Sequence, residues 1–141
     1  MNKIQEYSQE LLDLISEYDK PTFQRWVTNN YFIESMVFIH RHLSAQLRYL
    51  LIKNYNRSPT KLTCIKFVEV IDRLDDIHIN KFAYLLKIID KVDLGNLNSL
   101  NTMRNKFVHP SEKRNDYTDT QIRSILQNAV DIEKKLKINI P

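Results

Sequence analysis

The sequence predicts an all-α protein, a helical bundle of five to six helices joined by short loops, and three observations predict it. Apolar residues recur three and four apart almost throughout. No segment alternates convincingly with period two over the length of a strand. The 141 residues include a single glycine, whereas the primed turns of β-hairpins depend on residues that take positive φ easily. The same scarcity argues against a P-loop enzyme, a Rossmann domain and a β-barrel, since phosphate-cradling loops also need glycine. At about 100–200 residues per domain, residues 1–141 form one domain, long enough for a proper core.

Each element has a local cause. Ile4 to Tyr18 carries Leu11, Leu12 and Ile15 on a helical stripe, and Asp19-Lys20-Pro21 interrupts it, because the residue before proline is pushed out of the helical region. A long helix is expected from about Phe23 to Asn54, with Met36, Ile39, Leu43, Leu47 and Leu50 on one face. Arg57-Ser58-Pro59 is a break, with Ser58 as cap and Pro59 at the first helical position. Ile65, Val68, Ile71 and Leu74 form the next stripe. Phe82, Leu85, Leu86 and Ile89 form another, expected to end near Gly95, since glycine terminates helices easily. Leu97 and Leu100 lead to Phe107 and Val108, and Pro110 closes that helix at His109. Thr118-Asp119-Thr120-Gln121 has the form of a capping box. It opens a last helix bearing Ile122, Ile125, Leu126, Ala129, Ile132 and Leu136, with Lys134, Lys135 and Lys137 near its end, where cations suit the helix dipole.

Composition narrows the function classes. The lone cysteine, Cys64, can neither close a disulfide within the chain nor build a cysteine-based zinc site, which fits a reducing, cytoplasmic setting. Met1 to Glu6 is charged from its start and has no apolar signal core, and charge breaks every apolar run long before membrane-spanning length. No membrane partner is expected. The formal charge of +4 permits an anionic partner such as RNA without demanding one. No His, Asp or Glu pair has convincing ligand spacing on one helix face, so neither metal nor other cofactor is expected.

One stretch could carry chemistry: Leu100-Asn101-Thr102-Met103-Arg104-Asn105-Lys106-Phe107-Val108-His109-Pro110. Asn105 and His109 are four apart and share a helix face. Arg104 lies about 140° around the axis from His109. It falls between Leu100 and Val108, inside the arc expected to face the core. A guanidinium there keeps its charge, so it must snorkel outward or pair with a carboxylate. Pro110 puts His109 at a helix C-terminus, whose carbonyls favour the protonated ring, while Arg104 and Lys106 favour the neutral one. An imidazole poised between its two forms, a permanently charged guanidinium and an amide suit phosphate-ester chemistry. They can move a proton, stabilise a charged phosphorane and orient the reacting groups.

Arg104-Asn105 followed by His109 resembles the signature of the HEPN superfamily, small α-helical domains in which arginine, a polar residue and a later histidine end a late helix. The motif spans six positions and sits, as in that family, before a turn and a last helix. The resemblance implies an HEPN-like bundle and a metal-independent endoribonuclease. Two protomers of a homodimer would bring their motifs to one composite cleft. His109 would activate the ribose 2′-hydroxyl or protonate the leaving oxygen, Arg104 would hold the scissile phosphate, and Asn105 would orient the pair. The products would be a 2′,3′-cyclic phosphate and a 5′-hydroxyl, and DNA would survive. Family members often act as toxins countered by an antitoxin protein, or as anti-phage effectors. One subgroup carries a tyrosine two residues past the histidine, where this chain has Ser111. Other members are catalytically silent binding or regulatory modules, and an unrelated helical adaptor is a further alternative.

Several residues have two readings. Glu34 is the candidate acidic partner of Arg104, or a solvated glutamate beside Arg41. Lys106, Lys113 and Arg114 could contact RNA phosphates or simply be surface cations. Tyr117 could stack on a base or pack at the start of the last helix. His40 falls on the apolar arc and reads as a core or interface histidine, with His42 off that arc. About 200° apart, the two cannot chelate one metal. Cys64 reads as a small buried hydrophobe. Trp26, Tyr31, Phe32 and Phe38 give the long helix a second apolar side, to be covered either by a subunit interface or by an N-terminal helix.

Overall fold

A computed structural model describes residues 3–55, 61–108 and 117–141, with the side chains of 61–64 outside that description. These residues form seven helices and no strand: α1 (Lys3–Ser16), α2 (Lys20–Thr28), α3 (Phe32–Tyr55), α4 (Lys61–Arg73), α5 (Asp76–Leu85), α6 (Lys91–Val108) and α7 (Asp119–Lys137). The all-α class holds; the expected five to six helices become seven because a left-handed Asn30 divides one expected helix, while a left-handed Lys87 moves to an earlier position the boundary expected near Gly95.

The division replaces the expected continuous helix from Phe23 to Asn54. Asn30 takes φ 62°, the Tyr31 N–H donates to the Trp26 carbonyl at 2.8 Å and the Asn30 N–H to the Val27 carbonyl at 3.2 Å. That is a Schellman closure, and asparagine tolerates its left-handed position better than most side chains. The moved boundary lies after α5. Lys87 takes φ 61°, with the Ile88 N–H on the Ala83 carbonyl at 2.9 Å and the Lys87 N–H on the Tyr84 carbonyl at 3.0 Å. The chain then restarts at α6. There Asp90 Oδ1 accepts from the Asp93 N–H at 2.7 Å and Asp93 Oδ2 from the Asp90 N–H at 3.4 Å, a reciprocal cap of the capping-box kind. Gly95 therefore sits inside α6 rather than at a helix end, with nothing within 4 Å of where a Cβ would lie.

The expected interruption at Asp19-Lys20-Pro21 is the start of α2, with Asp19 as N-cap. The box at Thr118 is complete: the Gln121 N–H donates to Thr118 Oγ1 at 3.2 Å and the Thr118 N–H to Gln121 Oε1 at 2.8 Å. Ser58 and Pro59 lie outside the described residues, as does the Cys64 side chain.

Helix α3 is the hub, touching all six other helices. Met36, Ile39, Leu43, Leu47 and Leu51 are essentially inaccessible. They meet Leu97, Leu100 and Met103 of α6 and Leu126, Ala129 and Ile132 of α7 in one core. Burying each such side chain contributes about 1.5–3 kcal/mol relative to exposure. The second apolar side of α3 is covered from within the chain. Phe38 stacks on Tyr18 at 5.6 Å between centroids and meets the Trp26 edge at 5.2 Å. Phe32 lies under the Arg123 guanidinium, and Tyr31 stays exposed.

One of the two histidines of α3 departs from its expected surroundings. His42, expected off the apolar arc, is 5 % exposed. Its ring stacks on Tyr18 at 4.2 Å, and Nε2 stands 3.6 Å from the buried Glu133 carboxylate of α7. Neither ring nitrogen has a hydrogen-bond partner. Burial, with some repulsion from Lys137, pushes its pKa down to about 4, whereas burial pushes the Glu133 carboxyl up. His40, expected in the core or an interface, is nearly buried, its side chain 12 % exposed, and lies at the edge of a groove. There α1 and α6 both contribute to the lining, α6 through the charged Arg104.

Candidate functional site

The groove has a volume of about 480 Å³. Helix α3 contributes His40, Arg41, Ser44 and Arg48, spread over about two helical turns of one face. Tyr7 and Glu10 of α1, Asp72 of α4, Asp76 of α5 and Arg104 of α6 line the groove as well.

Arg104 takes the first of the two courses open to a guanidinium on an inward arc. Its Nε is buried without a partner among the described residues, and Nη1 donates to the Asn105 side-chain oxygen at 3.1 Å. Among the described residues no carboxylate forms an ion pair with it. Asn105 is exposed and steadies the guanidinium, so two of the motif residues are in direct contact. His109, Lys113 and Arg114 lie outside the described residues.

The remaining sequence candidates are scattered. Glu34 is exposed in the first turn of α3 and, among the described residues, has no link to Arg104. Arg41 pairs with Glu17 at 3.5 Å rather than with Glu34, through two well-exposed side chains, so that pair contributes little. Lys106 lies over the Tyr117 ring at 5.3 Å, and Tyr117 packs toward Phe107 with centroids 6.0 Å apart. Tyr117 therefore ties the start of α7 to the end of α6.

Sequence reasoning missed the network beside Arg104. His40 Nε2 is 3.2 Å from Asn101 Oδ1 and 3.5 Å from Asp76 Oδ2. Asp76 accepts the Ser44 hydroxyl at 2.7 Å and an Arg48 N–H at 3.2 Å. Arg48 also donates to Ser44 at 3.1 Å, to the Leu74 carbonyl at 2.8 Å and to the Ile71 carbonyl. It thus caps the end of α4 while fixing the first turn of α5. Burial alone would raise the Asp76 pKa, but Ser44, His40 and Arg48 together hold it below the usual carboxylate value. His40 is held below 6.5, first by burial and then by the positive charges of Arg104 and Arg48, against the pull of Asp76 and Asn101. Its ring is therefore neutral at pH 7. Burial pushes the Tyr7 phenol up to about 12, so it remains a hydrogen-bond donor. A sequence signal existed for part of this: His40, Ser44 and Arg48 are spaced four apart, a polar stripe inside an otherwise apolar helix.

The groove carries three guanidinium groups against three carboxylates. Any hold on an anion there comes from the local placing of Arg104, not from a long-range positive field. Among the described residues no three His, Cys, Asp or Glu side chains converge as a metal site, and no helix is long and apolar enough to cross a membrane. No family model, no curated protein and no solved structure matches the chain.

Proposed function

We propose that the protein is a metal-independent endoribonuclease of HEPN type, an HEPN-like bundle acting as a homodimer. The observation that supports this reading is the position of Arg104. Its side chain reaches an open groove, lined by both charged and apolar residues, beside a neutral imidazole, with Asn105 bonded to it and no carboxylate paired to it among the described residues. An arginine serving only the bundle would be expected to end in an ion pair, as Arg48 does.

In this reading Arg104 binds the non-bridging oxygens of the scissile phosphodiester and the charge that grows on them. Asn105 holds the guanidinium in place. His109 moves a proton at the ribose 2′-oxygen or at the leaving 5′-oxygen, and the twin motif of a second protomer completes the cleft. Lys106, Lys113 and Arg114 would add phosphate contacts flanking it. A toxin or anti-phage role, with an antitoxin as partner, accords with the same resemblance.

The test is cleavage of single-stranded RNA in EDTA by the full chain. We expect 2′,3′-cyclic phosphate ends, no cleavage of DNA, and activity at least ~100-fold lower in both Arg104→Ala and His109→Ala. Wild-type activity in either variant refutes the assignment of that residue.

The balanced charge of the groove favours one alternative, a catalytically silent module that binds a zwitterionic or neutral ligand. Under that reading no RNA is cut, and Arg104→Ala weakens ligand binding or dimerisation instead.

A further inference from the structure

We propose that a second groove, between α2 and α7, docks an acidic amphipathic helix of a partner protein. The proposal stands apart from the ribonuclease reading, since no residue lining this groove lines the groove of Arg104.

The two helices flank a cavity of about 440 Å³. Lys20 and Val27 lie seven apart on α2, and Arg123, Val130 and Lys134 lie seven and four apart on α7. Those spacings put each set on one helix face, and both faces line the groove. The helices run in opposite directions along it. Arg123, near the start of α7, donates to the side chain of Asn30, which follows the C-cap of α2. Lys20 begins α2, and its charge acts on Glu133 near the far end of α7, as that of Lys134 does. One end of the groove therefore carries Lys20 and Lys134, and the other carries Arg123.

Charge and shape together select the occupant. All three charged side chains of the lining are cations, and no described carboxylate shares it with them. Glu133, which feels both lysines, is buried against His42. Lys20 and Lys134 are exposed; Arg123 is half-buried, held by Asn30 and over the Phe32 ring. Between the charged ends Val27 and Val130 are partly exposed, whereas Phe23 and Leu126 beneath them are 2 % and 1 % exposed and belong to the core. The floor is apolar but sealed. A lipid tail would need a deeper slot and would bring charge to one end only. RNA would meet cations but no exposed ring to stack on, because Phe23, the aromatic side chain of the lining, is buried.

A helix lying along the groove satisfies both ends. Arg123 and Lys134 are eleven positions apart, about 16 Å along α7. A partner helix of about four turns spans that distance, rests an apolar stripe at i, i+3 and i+7 on Val27 and Val130, and sets carboxylates against the cations at each end. The exposed charges fix register and speed encounter more than they add affinity.

The test uses the full chain and a labelled, alanine-rich synthetic helix of about 18 residues, with leucine at i, i+3 and i+7 and glutamates on the same face before and after that stripe. Fluorescence anisotropy should show saturable binding, at least ~10-fold weaker for Val130→Asp and for Lys20→Glu combined with Lys134→Glu. Val130→Ser serves where the aspartate variant does not fold. Replacing the glutamates at one end of the peptide by lysine should weaken binding to the wild-type protein and restore it to the double variant, whose new carboxylates then face that end. Equal affinity for wild-type and variant proteins, equal affinity for a scrambled peptide, or no binding up to about 1 mM overturns the proposal. So does a single-stranded RNA that binds the wild-type protein, loses affinity in the double variant and displaces the peptide at lower concentration than unlabelled peptide does. RNA cleavage should be unchanged in all these variants, so the two proposals fail separately.

Discussion

Acidification should weaken the fold through His42, and replacing that residue should remove the effect. His42 is packed between Tyr18 and the core with neither nitrogen bonded. Its pKa falls from 6.5 to about 4 on folding. The native state therefore holds the neutral ring while the unfolded chain takes up a proton below pH 6.5. The lowered value means stability present at neutral pH that drains away as pH falls from 6.5 toward 4. At 1.36 kcal/mol per pH unit, that interval corresponds to about 3 kcal/mol, a large part of a domain's typical ~5–15 kcal/mol. Glu133 acts with the opposite sign. Its raised pKa favours the protonated carboxyl in the native state, so it adds stability as pH falls through that raised value to 4.5. The two should be separated in a Glu133→Gln background. Urea unfolding followed by circular dichroism between pH 7.5 and pH 4 should show Glu133→Gln losing about 3 kcal/mol more than Glu133→Gln with His42→Phe. Parallel curves for the two proteins would refute the burial argument.

Two further predictions concern the frame around the groove. Arg48→Ala removes donors from the carbonyls that end α4 and strips the partner from a half-buried carboxylate. Unfolding free energy should fall by about 3 kcal/mol, measured by urea titration, and an effect below about 1 kcal/mol would mean that water replaces the guanidinium. Lys87→Gly relieves a left-handed lysine after α5 and should raise stability by about 0.5–1 kcal/mol, read as a higher melting temperature; a lower one would contradict the strain.

The parts of the fold set by local chemistry were legible. The Thr118 box and the stripe from Ile122 to Leu136 both involve residues three or four apart, and both appear as expected. The boundaries at Asn30 and Lys87 were not, because neither residue is a strong stop signal. The left-handed turn at Lys87 is imposed by its neighbours downstream, the Asp90–Asp93 cap and Ile89 docked in the core. The site shows the same contrast. The choice open to Arg104, to reach outward or to find a carboxylate, came from helix geometry alone. The surroundings of His40 were hidden, because the stripe of His40, Ser44 and Arg48 shows polarity but not its partners, which are Asp76, 36 positions further on, and Asn101, 61 further on. No periodicity within one helix reports such partners.

The lining that α1 lends to the groove of Arg104 has a consequence for how the site could be controlled. This helix buries fully only Ile4 and Leu11, while Tyr7 and Glu10 look into the cavity. Its other apolar contacts with the core, Tyr7, Leu14 and Ile15, are only partly buried, so its amides should surrender their hydrogens to solvent before those of α3. A binding protein that grips the outer surface of α1 would then act as a brake or a wedge on the cavity while remaining a helix's width away from Arg104.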